Sequence, residues 1–140
     1  MKLAALVLLA TVATVLVSCG DDGGGATTDG IRGLTWTTSE IITGGAPAAM
    51  PAGVRLELTL GTDGRLSARA GCNSMSGTYR ISNGRLDVGG LGQTEMGCAA
   101  ELMANDATTS SLLSSRPTVV LDGATLTLTG STSAIRLVDL

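Results

Sequence analysis

Between Val54 and Leu60 the sequence Val54-Arg55-Leu56-Glu57-Leu58-Thr59-Leu60 alternates strictly between apolar and polar side chains. A β-strand turns successive side chains to opposite faces. The alternation therefore gives a buried face of Val54, Leu56, Leu58 and Leu60 and a wet face of Arg55, Glu57 and Thr59. Such a strand needs hydrogen-bonded neighbours and a second layer over its apolar face. The flanking sequence supplies both. Thr62-Asp63-Gly64 reads as a hairpin turn, and Arg65 to Ala70 returns with Leu66, Ala68 and Ala70 on one face. Gly77–Ile81 and Arg85–Val88 flank Asn83-Gly84, a pair suited to a type I′ turn because both central positions need φ > 0. Asp122-Gly123 separates Thr118–Leu121 from Ala124–Thr129 in the same way. Further strands are expected around Leu34–Thr37 and over Ala134–Val138. The segment Thr43–Gly53, with Gly44-Gly45, Pro47 and Pro51, reads as a loop.

Ala99–Ser114 breaks this rhythm. It has no Gly or Pro, carries Leu102, Met103, Ala107, Leu112 and Leu113, and stops before Pro117, which cannot continue a helix. The expectation is a mainly β (α+β) domain of six to eight short antiparallel strands: a curved antiparallel sheet, or a partly closed β-barrel, with one packed helix. With one Trp, one Tyr and no Phe, its core must be aliphatic.

The first 30 residues are of another kind. Lys2 is a positive start, and Leu3–Val17 is an unbroken run of apolar residues and Thr. That run is short for a membrane span, which needs about 20 apolar residues, and has the length of a signal-peptide core. It ends in Leu16-Val17-Ser18-Cys19, which resembles the lipobox of bacterial lipoproteins. The resemblance implies lipidation of the Cys19 sulfur and cleavage after Ser18. Residues 1–18 are thus read as a lipoprotein signal peptide and residues 19–30 as a Gly-rich flexible tether, too polar to order itself. Residues 31–140 form the domain. The expected location is the extracytoplasmic face of a cell membrane, with the lipid as the membrane contact.

Composition removes much chemistry. The chain has no His. Its only Lys is Lys2, so the mature part has neither His nor Lys. Nucleophiles activated by His or Lys, Schiff bases and His metal sites are excluded on that ground. Loss of Lys2 leaves eight Arg against twelve Asp and Glu, a net charge near −4 with no footprint for nucleic acid. The carboxylates Glu40, Glu57, Asp63, Asp87, Glu95, Glu101, Asp106 and Asp122 read mostly as solvated faces or turn residues. Glu95 stands out among them, because it lies inside the motif described next. The expectation is no catalytic residue, no cofactor and no enzyme.

Gly71-Cys72-Asn73-Ser74-Met75-Ser76-Gly77-Thr78-Tyr79 resembles the G-C-N-x-x-S-G-x-Y signature of the META domain, the heat-shock protein HslJ family. Thr94-Glu95-Met96-Gly97-Cys98 resembles its T-x-M-x-C element, and Leu121-Asp122-Gly123-Ala124-Thr125-Leu126-Thr127-Leu128 its later L-D-G-x-x-L-x-L element. Trp36 stands where the family carries an early Trp. The resemblance spans about residues 31–140. It implies a barrel-like antiparallel sheet with a helix, and a cell-envelope or stress-associated role without an established reaction. It marks Trp36, Gly71, Asn73, Ser76, Gly77, Tyr79, Thr94 and Met96 as family positions. One departure is visible: where the family often carries an aromatic residue in its helix, this chain has Thr108 and Thr109.

Three cysteines are an odd number for an exported protein. Lipidation of Cys19 leaves Cys72 and Cys98, which in an oxidising compartment can pair as a structural disulfide. Two alternatives stay open. Cys72, Met75, Met96 and Cys98 are soft ligands of the kind that select Cu(I), and the two thiols could form a reactive pair. The functional expectation is a non-catalytic envelope lipoprotein that binds or supports a protein partner. A small-ligand carrier or a Cu(I)-binding protein is the alternative.

Overall fold

A computed structural model of the chain describes residues 28–140. Cys19, the segment read as a signal peptide and most of the segment read as a tether lie outside the described residues. After a short 3-10 turn at Thr28–Gly30 come β1 (Leu34–Thr38), β2 (Glu40–Thr43), β3 (Ala46–Ala49), β4 (Leu56–Leu60), β5 (Arg65–Arg69), β6 (Ser74–Ser82) and β7 (Arg85–Gln93). Then follow α1 (Ala100–Ser114), β8 (Thr118–Asp122), β9 (Thr125–Thr129) and β10 (Ser133–Asp139). All pairings are antiparallel, in the order β1-β4-β5-β6-β7-β8-β9-β10, and β10 returns to β1. These eight strands close a barrel. The expected class, a barrel-like antiparallel sheet with one helix, is what the chain forms.

The alternation of β4 is realised: Leu56, Leu58 and Leu60 are buried and Glu57 is exposed. With Leu66, Met75, Leu86, Leu126, Leu128, Ile135 and Leu137 they fill the interior around Trp36. Trp36 Nε1 donates to the Ile31 carbonyl at 3.1 Å, which satisfies the polar edge of a buried indole. The interior is thus a packed aliphatic core and not the chamber that a ligand-carrying barrel would need.

Both barrel ends are plugged. At one, Ile31 is fully buried, and Gly30 lies so close to Leu121 that an added Cβ would sit 3.0 Å from its Cδ2. Across the other lies α1. A Cβ on Gly71, in the β5–β6 loop, would fall 2.5 Å from the Leu102 carbonyl oxygen. One on Gly130, in the β9–β10 loop, would fall 2.8 Å from Leu112 Cδ1. The helix therefore rests directly on backbone at those loops.

The seam of the barrel is between β7 and β8, which share a single paired position, Arg85 with Thr118. Side chains clasp it. Arg116 Nε and Arg80 Nε both donate to the Asp87 carboxylate, and Arg85 Nη1 donates to the Arg116 carbonyl at 2.9 Å. The Arg116 hydrogen bond holds the Asp87 carboxyl below the usual carboxylate range. Arg116 itself has φ +56°, the left-handed turn that ends α1 before Pro117.

Three local expectations need correction. The segment read as a loop, Thr43–Gly53, contains β3: Gly44-Gly45 turns the chain and β3 pairs with β2 as a hairpin standing off the barrel. Thr43 and Ala46 close a two-residue turn, and Met50 N donates to the Ser39 carbonyl at 2.9 Å, so the hydrogen-bonded pairs alternate away from Ile42–Pro47. Pro47 thus faces the free edge, where its missing N–H costs no ladder bond. Counting β2 and β3, the sheet has ten strands, above the six to eight expected. The third hairpin turns at Gly123-Ala124 and not at Asp122-Gly123, because Asp122 pairs with Thr125. Of the two central residues only Gly123 has positive φ, as in a type II′ turn.

The Asn83-Gly84 turn is as expected, with φ +51° and +66°. Gly84→Val is expected to destabilise the domain by about 1 kcal/mol or more, because a β-branched residue resists that conformation. Thermal melting of the variant checks this, and an unchanged midpoint would overturn the assignment of strain to this turn.

Candidate site at the disulfide end of the barrel

The two cysteine motifs meet where α1 crosses the barrel end. Cys72 follows β5 and Cys98 precedes α1. They are joined as a disulfide with Cα atoms 6.1 Å apart, within the range such a bond permits.

Beside the sulfurs lies a buried polar network. Asn73 is only 2 % exposed and Asp106, in the middle of α1, 1 % exposed. The Asp106 carboxylate accepts from the backbone N–H of Cys72 at 3.3 Å and of Asn73 at 2.8 Å, and from Asn73 Nδ2 at 3.1 Å. Asn73 Oδ1 in turn accepts from Met96 N at 2.7 Å and from Thr94 Oγ1 at 3.0 Å. Thr94 Oγ1 accepts from Ser74 N at 3.0 Å. One asparagine thus ties the β5–β6 loop, the loop before α1 and the helix together. Asn suits the position because its amide both donates and accepts. Among the described residues Asp106 has no salt-bridge partner. Its hydrogen-bond donors are all neutral N–H groups.

The positions marked by the sequence divide accordingly. Gly71, Cys72, Asn73, Thr94, Met96 and Cys98 gather here, Gly71 because only a hydrogen fits beneath Leu102. Trp36 is a core residue. Gly77 marks a register shift between Ser76 and Thr78, where a Cβ would meet the Gly89 carbonyl at 2.9 Å. Tyr79 lies elsewhere on the barrel: its hydroxyl donates to the Gly61 carbonyl at 2.7 Å, and burial pushes its phenol up, opposed by Arg32 over the ring. Ser76 is exposed on β6 beside Ser67.

The soft-metal set does not assemble. Both cysteine sulfurs are spent in the disulfide, Met75 is 1 % exposed in the barrel core, and Met96 is 56 % exposed on the surface. Glu95 is an exposed loop residue. The carboxylate that matters is Asp106, which is buried and not solvated as its residue type suggests. Its signal was spacing: Leu102, Asp106, Thr109 and Leu113 follow the three-to-four-residue repeat of one helix face. That stripe is the face turned inward, since Asp106, Thr109, Leu112 and Leu113 are the buried residues of α1. Thr109 is buried with its hydroxyl unpartnered.

With this geometry in view, comparison with known proteins is decisive. A family model for the META domain matches residues 29–139. The chain belongs to the META-domain family. An NMR structure of a protein from Burkholderia xenovorans superposes with a TM-score of 0.69 at 22 % identity, covering 94 % of this chain and 99 % of that one. A second NMR structure gives a TM-score of 0.66 at 26 % identity, covering 80 % of this chain and 93 % of that one. At such identity the first likeness shows the fold alone. No curated protein matches the chain. The Gly71-Cys72-Asn73 and Thr94-to-Cys98 parts of the signature thus read, in this member, as the wiring of one end of the barrel.

Proposed function

We propose that this META-domain protein is exported and lipid-anchored through Cys19, on the extracytoplasmic face of a cell membrane. There it acts by binding or supporting an envelope component and not by catalysis. The observation that carries the reading is the cysteine account. Of three cysteines, Cys72 and Cys98 are bonded to each other, and the remaining one stands directly after an apolar run ending in Leu16-Val17-Ser18. A disulfide fits an oxidising compartment, where such bonds persist. A non-catalytic role is supported by the site itself: Asn73 and Asp106 are buried and engaged with one another, so neither faces a substrate. The stress association is the part that rests on family resemblance.

The proposal has a direct test. Cys19→Ser is expected to abolish incorporation of a fatty-acid analogue in growing bacteria and to block maturation at that site, leaving the longer precursor. Label retained on the serine variant would overturn the anchor.

A further inference from the structure

We propose that Asp106 is the positioning residue of the Cys72–Cys98 bond, and that the two cysteine segments are held in bonding register by hydrogen bonds independently of the sulfurs. The disulfide then closes on a prepared site and can open without releasing the loop. This inference does not depend on lipidation or location.

Three observations carry it. First, the Asp106 carboxylate grips the backbone of Cys72 itself, through both oxygens at 3.3 Å, and that of its neighbour Asn73 at 2.8 Å. Second, Asn73 reaches across to the other segment and accepts from Met96 N, two residues before Cys98. A continuous chain of hydrogen bonds, Cys72 to Asp106 to Asn73 to Met96, therefore runs parallel to the covalent link. Third, the sulfurs differ in access: Cys72 is buried, whereas Cys98 is half-buried in a loop whose other residues from Thr94 to Ala99 are exposed. A small thiol can attack at Cys98 while Cys72 stays anchored.

The chemistry is thiol–disulfide exchange with glutathione. In closure the protein dithiol is oxidised and glutathione disulfide reduced: one S–S bond forms between Cys72 and Cys98, one S–S bond of glutathione breaks, and both thiol protons end on the two glutathione sulfurs. The equilibrium constant measures the effective concentration of one protein thiol at the other. A prepared site raises that concentration and a floppy loop lowers it.

The test uses the detergent-solubilised full chain carrying Cys19→Ser, which leaves two thiols. Glutathione buffers set the equilibrium, and acid-quenched alkylation with mass analysis reads the dithiol fraction. Asp106→Asn is expected to lower the constant about tenfold or more, equivalent to about 30 mV. Its Oδ1 can replace the Asp106 oxygen that serves Asn73, but its Nδ2 then opposes the Cys72 N–H, and a neutral acceptor replaces a charged one. Thr94→Val, at an exposed position, removes the hydroxyl linking Asn73 to Ser74 and is expected to lower it a few-fold. Leu113→Ala, a core cavity away from the network, should lower the melting temperature and leave the constant unchanged, because oxidised and reduced forms lose stability alike. In the reduced chain, the amides of Cys72, Asn73 and Met96 should keep their protection from hydrogen exchange. If Asp106→Asn does not fold, Thr94→Val and the exchange of the reduced parent decide. A constant that tracks melting temperature in all variants, or amides that lose protection on reduction, would overturn the proposal.

Discussion

Asp106→Ala is expected to lower the stability of the oxidised domain by about 3–5 kcal/mol, among the most damaging single changes outside the aliphatic core. The carboxylate is nearly inaccessible and satisfies three donors: the N–H of Cys72, the N–H of Asn73 and Asn73 Nδ2. Alanine leaves all three without an acceptor in a site closed by α1. A buried unpaired donor costs about 1–3 kcal/mol, and a water entering the vacated space recovers part of that. Urea unfolding measures the loss as a fall in midpoint at constant slope. A loss under about 1 kcal/mol would show that water replaces the carboxylate fully and that the network is not a fastening.

Removal of the disulfide, by reduction or by paired Cys72→Ala and Cys98→Ala, should cost about 3 kcal/mol. The bond spans a sequence separation of 26 residues. In the chain-entropy account a closed loop of that size removes about 3 kcal/mol of freedom from the unfolded chain. For a domain of roughly 100 residues that corresponds to a melting temperature lower by roughly 15 °C. Calorimetry with and without reductant reads it directly. Midpoints within about 2 °C of each other would mean that the unfolded chain gains almost nothing from being cut loose.

Much of the barrel was written in periodicity. The alternation of Val54–Leu60 and the positive-φ requirement of Asn83-Gly84 are local facts, and local facts survive into the fold. What was not legible depended on distant neighbours. Pro47 made Ala46–Ala49 look like a loop, because only its place on a free edge, known once β2 is paired with β10 on its other side, makes proline harmless there. The alternation marks β7 only over Arg85–Val88, short of its glycine-rich end at Gln93. There the β7 backbone comes so near β6 that a Cβ on Gly77 would meet the Gly89 carbonyl at 2.9 Å. In the site, the motifs around Cys72 and Cys98 announced themselves. Asp106 did not, since one carboxylate in a helix resembles any solvated one until its stripe is seen to face inward.

The barrel closes between its first and last strands: Trp36 pairs with Asp139 and Thr37 with Val138. That places about a hundred residues between the two halves of the final ladder. Ile31 and Trp36 gain their full burial only when that ladder forms, so the earliest-made part of the domain is the last to be secured. A chain delivered amino end first cannot complete the ladder of β1 until its final strand is free, and a contact of that sequence separation forms slowly beside a hairpin. Loss of even the last few residues would leave β1 with one neighbour instead of two.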